Sequence, residues 1–162
     1  MGNGGSPERT IIKVDPNGKL SALPEPHERT GYEFYGWYPS PEGNGQCLTT
    51  STIIDNDRTY YALWLPLTCY IVYDAQGGTS WESTAVPYMS EVGELSNATR
   101  PGYDFLGWFT EPEGGTQITN GYVMTNLDGM TVYAHWRKIP SGDNDIPSGD
   151  EVMNSPEMQE II

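Results

Sequence analysis

Basic residues are scarce in this chain. Only 8 Lys and Arg stand against 22 Asp and Glu in 162 residues, a formal charge of −14. Nucleic-acid binding needs clustered cations to neutralise phosphates, and here only Arg137 and Lys138 are adjacent. That excludes nucleic acid as a partner, and an anionic membrane surface is disfavoured for the same reason. No apolar run approaches the roughly 20 residues of a membrane span, so no membrane insertion is expected. The opening Met1-Gly-Asn-Gly-Gly-Ser6 lacks the apolar middle of a signal peptide, and the chain reads as either cytosolic or a fragment of something longer. Histidine and cysteine are nearly absent. His27 and His135 are far apart, and Cys47 and Cys69 have no further ligands at metal-binding spacing. No metal and no cofactor are expected. Whether the two thiols form a disulfide is left open, since their even number alone does not establish it. Apolar residues make up 36% of the chain, too few for a large helical core.

Turn formers and aromatics are what the chain has instead. It carries 19 Gly and 13 Pro, with 11 Tyr and 5 Trp among its residues. Aromatic side chains bury a large area each, so this composition suits small β units pinned by rings and joined by turns.

A duplication organises the chain. Residues 30–38 read Thr-Gly-Tyr-Glu-Phe-Tyr-Gly-Trp-Tyr, and residues 101–109 read Pro-Gly-Tyr-Asp-Phe-Leu-Gly-Trp-Phe. The correspondence runs on through Pro41/Pro112, Glu42/Glu113, Gly43/Gly114 and Gln46/Gln117. It resumes as Thr59-Tyr-Tyr-Ala-Leu-Trp64 against Thr131-Val-Tyr-Ala-His-Trp136. The second copy opens with Cys69-Tyr-Ile-Val-Tyr-Asp-Ala-Gln-Gly-Gly78, a strand running into a Gly turn, and the first with a similar Ile11-Ile-Lys-Val-Asp-Pro-Asn-Gly18 followed by fewer residues before its Gly-Tyr motif, which leaves the first copy one strand short. The expected layout is a flexible leader (1–10), a first module with a shortened front half (11–65), a second module (66–137) and an acidic tail (138–162). From Ile139 the tail has six acids, no base and no ring, which predicts disorder.

Period-2 patterning gives the local structure. Tyr70, Val72 and Asp74 alternate with Ile71 and Tyr73. Trp81 to Met89 reads as a return strand, placed at a sheet edge by Pro87. Tyr103 and Phe105 share a buried face, and the glycine before each Trp allows a bulge. Val132, Ala134 and Trp136 share a face that Tyr60, Ala62 and Trp64 match, while His135 and Leu63 face water. At most one short helix per copy is expected, for instance Ser90 to Ser96.

The duplicated Gly-Tyr-x-Phe-x-Gly-Trp-[Tyr/Phe], the Glu-Gly that follows and the closing Thr-x-Tyr-Ala-x-Trp resemble the Listeria–Bacteroides repeat, a family that includes the internalin B-repeat. Val72-Tyr-Asp-Ala-Gln-Gly-Gly-Thr79 is similar to that family's opening Val-x-Phe-Asp-Ala-Asn-Gly-Gly. The resemblance implies a mainly β (α+β) fold of two small tandem β-grasp-like modules. It also implies an extracellular or cell-surface setting and no catalytic residues. The expected role is a stalk, spacer or protein-interaction unit that is not an enzyme. Its partner would be another protein, host or cell-wall associated, with a basic face favoured by charge.

Rival chemistries are weaker. The glycine pairs Gly77-Gly78 and Gly114-Gly115 lack the Lys-Ser/Thr of a phosphate loop, and turn chemistry explains them. Asp143-Asn-Asp145 offers calcium-like oxygens, but the glycine required at the sixth loop position is Ser148. Glu111 and Glu113 lie in a Pro/Gly turn, with no burial to raise a carboxyl pKa. The main alternative is a glycan-binding adhesin stacking sugars on Trp81 and Tyr88, the candidate ligand-binding residues. Trp81 has no counterpart in the first copy.

Overall fold

The computed structural model describes residues 4, 5, 10–26 and 28–140; His27 and the tail from 141, with its candidate calcium ligands, lie outside them. The strands are β1 (Tyr32–Tyr38), β2 (Tyr61–Pro66), β3 (Thr68–Asp74), β4 (Ser83–Pro87), β5 (Tyr103–Phe109), β6 (Gln117–Ile118) and β7 (Met130–Lys138). Alternation makes them. In β3, Cys69, Ile71 and Tyr73 turn inward, and Thr68, Tyr70, Val72 and Asp74 turn outward. The fold is mainly β, but its expected helical part is not there: no helix occurs among the described residues. Ser90 to Ser96 is irregular because its backbone bonds to another segment rather than to itself. Val92 and Gly93 donate to the carbonyls of Tyr122 and Asn120.

The second module is a five-stranded sheet in the order β4-β3-β7-β5-β6. Its first and last long strands, β3 and β7, lie parallel at the centre, with Ile71 opposite Met130 and Asp74 opposite Tyr133. This is the β-grasp-like arrangement without its helix. Pro87 lies on β4, an edge strand, where its missing N–H costs no ladder bond. Among the described residues the first module has an antiparallel pair, β1 with β2.

Both modules carry the same aromatic pin. Pairing slips between Phe34 and Gly36 in β1 and between Phe105 and Gly107 in β5. The extra residue resets the strand's parity, so Phe105 and Trp108 turn to the same side although they are three apart. Gly107, at φ 130°, allows the slip, and a side chain there would run into Gln117. Phe105 then sits between Trp108 and Trp136 at 5.3 and 5.4 Å, and Phe34 between Trp37 and Trp64 at 5.5 and 5.4 Å. Trp108 donates to the Ser96 carbonyl at 2.6 Å and Trp37 to that of Pro24 at 2.8 Å. Trp37, Trp64 and Trp108 are buried and Trp136 packs on the core.

The cores differ in size. The second module buries eleven hydrophobic residues, three of them (Cys69, Ile71 and Tyr73) on β3. Among the described residues the first buries five: Leu20, Trp37, Leu48, Ala62 and Trp64. Ile11–Asp15, expected to open the first module as a strand, forms none. Its place in the fold is different. Gly18 donates to the Asp15 carbonyl as Ser90 does to that of Pro87, and Ile54 donates to the Gly18 carbonyl as Met124 does to that of Ser90. Ile11–Asp15 therefore occupies the position of β4, not of β3. The counterpart of Gly77 and Gly78 is Gly4 and Gly5: Gly78 lies against Trp136 and Gly5 against Trp64, while Gly77 and Gly4 each lie beside an arginine (Arg100 and Arg29). A smaller correction concerns Gln117, whose place beside the bulge glycine is taken in the first module by Cys47 rather than Gln46.

Candidate functional site

The feature that the two modules do not share is the joint between them. β2 ends at Pro66 and β3 begins at Thr68, so Leu67 alone separates two strands. Leu67 is tied on both sides. Its N–H donates to the Gly31 carbonyl at 2.9 Å, and its carbonyl accepts from Tyr88 N–H at 2.8 Å. The first bond belongs to the first module and the second to the second.

Tyr88 completes the joint. Its ring meets Tyr32 edge-on, 5.9 Å between centroids at 81°. The same ring lies over Gly31, where any side chain would collide with it. On its other side Tyr32 carries the Arg29 guanidinium, 3.9 Å from the ring centroid, a cation–π contact. Gly31 has φ 81°, a conformation that glycine adopts without steric cost. The equivalent exit of the second module keeps the backbone bond, Ile139 N–H to the Gly102 carbonyl at 2.9 Å, and the Arg100–Tyr103 stack at 4.0 Å. No described atom covers Gly102.

Of the two candidate ligand-binding residues, Tyr88 is half-buried in this joint, and Trp81 is half-exposed at the opposite end of β4. The structure does not bring them together. Trp81 is held through its backbone, with its N–H donating to the Ser96 hydroxyl at 2.8 Å. Leu67 belongs to Leu65-Pro66-Leu67, which the sequence marks as a short, stiff link between the copies, whereas Gly31 was not legible as a joint residue, because Gly31-Tyr32 recurs as Gly102-Tyr103 and sequence matching hides their different surroundings. The readable signal was Tyr88, an aromatic with no counterpart ring in the first copy.

The remaining chemistry is sparse. Cys69 is buried in the core of the second module, Cys47 is half-buried beside Gly36 in the first, and both are free thiols. Among the described residues no group of three or more His, Cys, Asp or Glu could hold a metal. Glu111 and Glu113 are exposed. His135 is half-covered rather than open to water, stacked on Phe109 at 3.9 Å with Nε2 3.0 Å from the Glu111 carbonyl. Two carboxyls titrate below their ordinary range, each for a local reason. Backbone N–H donation from Lys19, then Asn17, holds Asp15 down, and the Ser40 hydroxyl holds Glu42 down. No helix among the described residues is long and apolar enough to cross a membrane.

The family model of the Listeria-Bacteroides repeat domain matches residues 1–63 and 70–135. The chain is similar to a candidate membrane protein of Evansella cellulosilytica, 33% identical over 143 residues that cover 83% of this chain and 21% of that protein. It is also similar to internalin H of Listeria monocytogenes, 28% identical over 151 residues that cover 92% and 26%. The chain thus spans about a fifth to a quarter of the length of these curated relatives.

Proposed function

Because the chain belongs to the Listeria-Bacteroides repeat family, with two tandem copies, we propose that it is a stiff, non-enzymatic segment of a bacterial surface protein, setting distance and direction between the parts it joins. The joint carries this reading. A linker of one residue, bonded to both modules and covered by Tyr88 on Tyr32, restrains the modules against bending and twisting. Gly/Ser linkers of several residues would leave them free. The strong negative charge keeps such segments soluble and apart. Likeness to internalin H supports an extracellular setting. The glycan reading has less support, since the Tyr88 ring lies against Tyr32 and Trp81 stands alone.

Residual dipolar couplings test the proposal. One alignment tensor is expected to fit both modules of the native chain, and two should be needed for Tyr88→Ala. Native modules that already align independently would refute the spacer role.

A further inference from the structure

Connectivity decides how the second module meets tension. The chain enters it at Thr68, the start of β3, and leaves it at Lys138, the end of β7. These two strands are neighbours and run parallel, in register from Ile71 opposite Met130 to Asp74 opposite Tyr133. In a parallel pair the start of one strand and the end of the other lie at opposite ends. A pull on the chain to either side of the module therefore slides β3 along β7, and the bonds between the strands share the load. Peeling, which breaks bonds one after another, requires both pulls at the same end.

Neither strand is at an edge. β3 is also paired with β4 over Thr68–Val72, and β7 with β5 over Tyr133–Lys138. Tyr73 N–H donates to the Glu82 carbonyl at 3.1 Å and the Leu67 carbonyl accepts from Tyr88 N–H, so odd-numbered residues of β3 turn their main-chain groups to β4. Alternation then turns those of Tyr70, Val72 and Asp74 toward β7. Side chains add a second lock. Ile71 and Val132 are each 0% exposed and share one core. A slip of one residue would carry a strand's buried set to the solvent face, so no neighbouring register relieves the load. Two contacts reinforce the pair at its ends. Trp136 Nε1 donates to the Ala75 carbonyl at 2.9 Å, tying late β7 to the residue after β3. Gly129, just before β7, lies against the Tyr70 main chain, where a side chain would collide with it.

We propose that the second module is a shear clamp: it bears tension along the chain, and the β3–β7 pair sets the force at which it opens. This deepens the spacer reading and rests on it for the source of the load, because a segment joining two parts of a surface protein transmits the pull between them. The clamp itself lies within one module. Its failure would leave the alignment test of the joint standing, and independent alignment of the modules would leave the rupture force of the clamp unchanged.

Single-molecule force spectroscopy on the full chain tests it, with one protein pulled in two directions. That protein carries Cys47→Ser and Asp128→Cys, the first to remove the half-buried thiol and the second to place a thiol handle at an exposed position just before β7; Cys69 is buried. In one arm the tethers are the two chain ends, which shears β3 against β7. In the other they are the N-terminus and residue 128, which pulls both strands from the same end. Rupture of the second module is recognised in the first arm by a contour gain of roughly 200–250 Å, from about 3.3–3.6 Å per residue over Thr68–Lys138, and in the second by a correspondingly shorter one. At equal loading rate the end-to-end force is expected to be at least about twice the other, because forced unfolding reads the barrier along the pulled direction and not the equilibrium stability, which is the same in both arms. Equal forces in the two arms would overturn the proposal, and so would end-to-end extension of the second module without a discrete rupture.

Discussion

Removing the middle ring of each aromatic pin measures what holds the modules together. Phe34 and Phe105 occupy the same position, half-buried between two tryptophans at 5.3 to 5.5 Å. Truncating a fully buried Phe to Ala costs about 3–5 kcal/mol. Partial exposure lowers that to about 2–3 kcal/mol here, of which the two edge contacts contribute roughly 0.5–1.5 kcal/mol each. The local loss is similar in the two modules, but their reserves differ. A module of this size has roughly 3–9 kcal/mol of stability. The first, with five buried hydrophobics against eleven, lies at the low end of that range. Phe34→Ala is therefore expected to leave the first module substantially unfolded. Phe105→Ala should leave the second folded, with its urea midpoint lowered. Urea titration followed by tryptophan fluorescence, with hydrogen exchange read module by module, distinguishes the two. The reasoning fails if either change costs less than about 0.5 kcal/mol, or if Phe34→Ala leaves the first module as well folded as Phe105→Ala leaves the second. In that case the rings would not be interior pins.

Two further outcomes follow from the same geometry. Gly102→Ala meets no described atom, so only its φ of 77° is penalised, at about 1 kcal/mol. Gly31→Ala carries a similar φ penalty and also displaces Tyr88, adding about 1 kcal/mol; equal melting shifts for the two variants would mean that Tyr88 does not seat on Gly31. Acidification should unfold the first module before the second. The Asp15 carboxyl has a lower pKa folded than unfolded, chiefly through backbone N–H donation, so its contribution is present above the unfolded pKa and is lost as pH falls through the folded one. Thermal melts between pH 5 and pH 2 check this, and Asp15→Asn should flatten the dependence in that range.

Residue order alone determined a good deal. Duplication of Gly-Tyr-x-Phe-x-Gly-Trp and of the closing Tyr-Ala-x-Trp fixed two copies of one unit, because spacing that matches over so many residues demands the same backbone. Period-2 alternation put Ile71 and Tyr73 inward and Tyr70 and Val72 outward, and Pro87 placed its strand at an edge. Those properties are local: a strand's faces and a proline's missing donor do not depend on distant partners. Tertiary structure alone decided three things. Val92 and Gly93 donate their N–H groups to the carbonyls of Tyr122 and Asn120 rather than to their own turn, so no helix formed over Ser90–Ser96. Ile11–Asp15, whose sequence looks like an opening strand, came to rest where β4 belongs, because the Asp15–Gly18 turn is anchored by Ile54. Gly31 and Gly102 are alike in sequence and conformation, yet only one is covered by a tyrosine. Which surfaces meet is a property of packing between distant segments, and no local pattern encodes it.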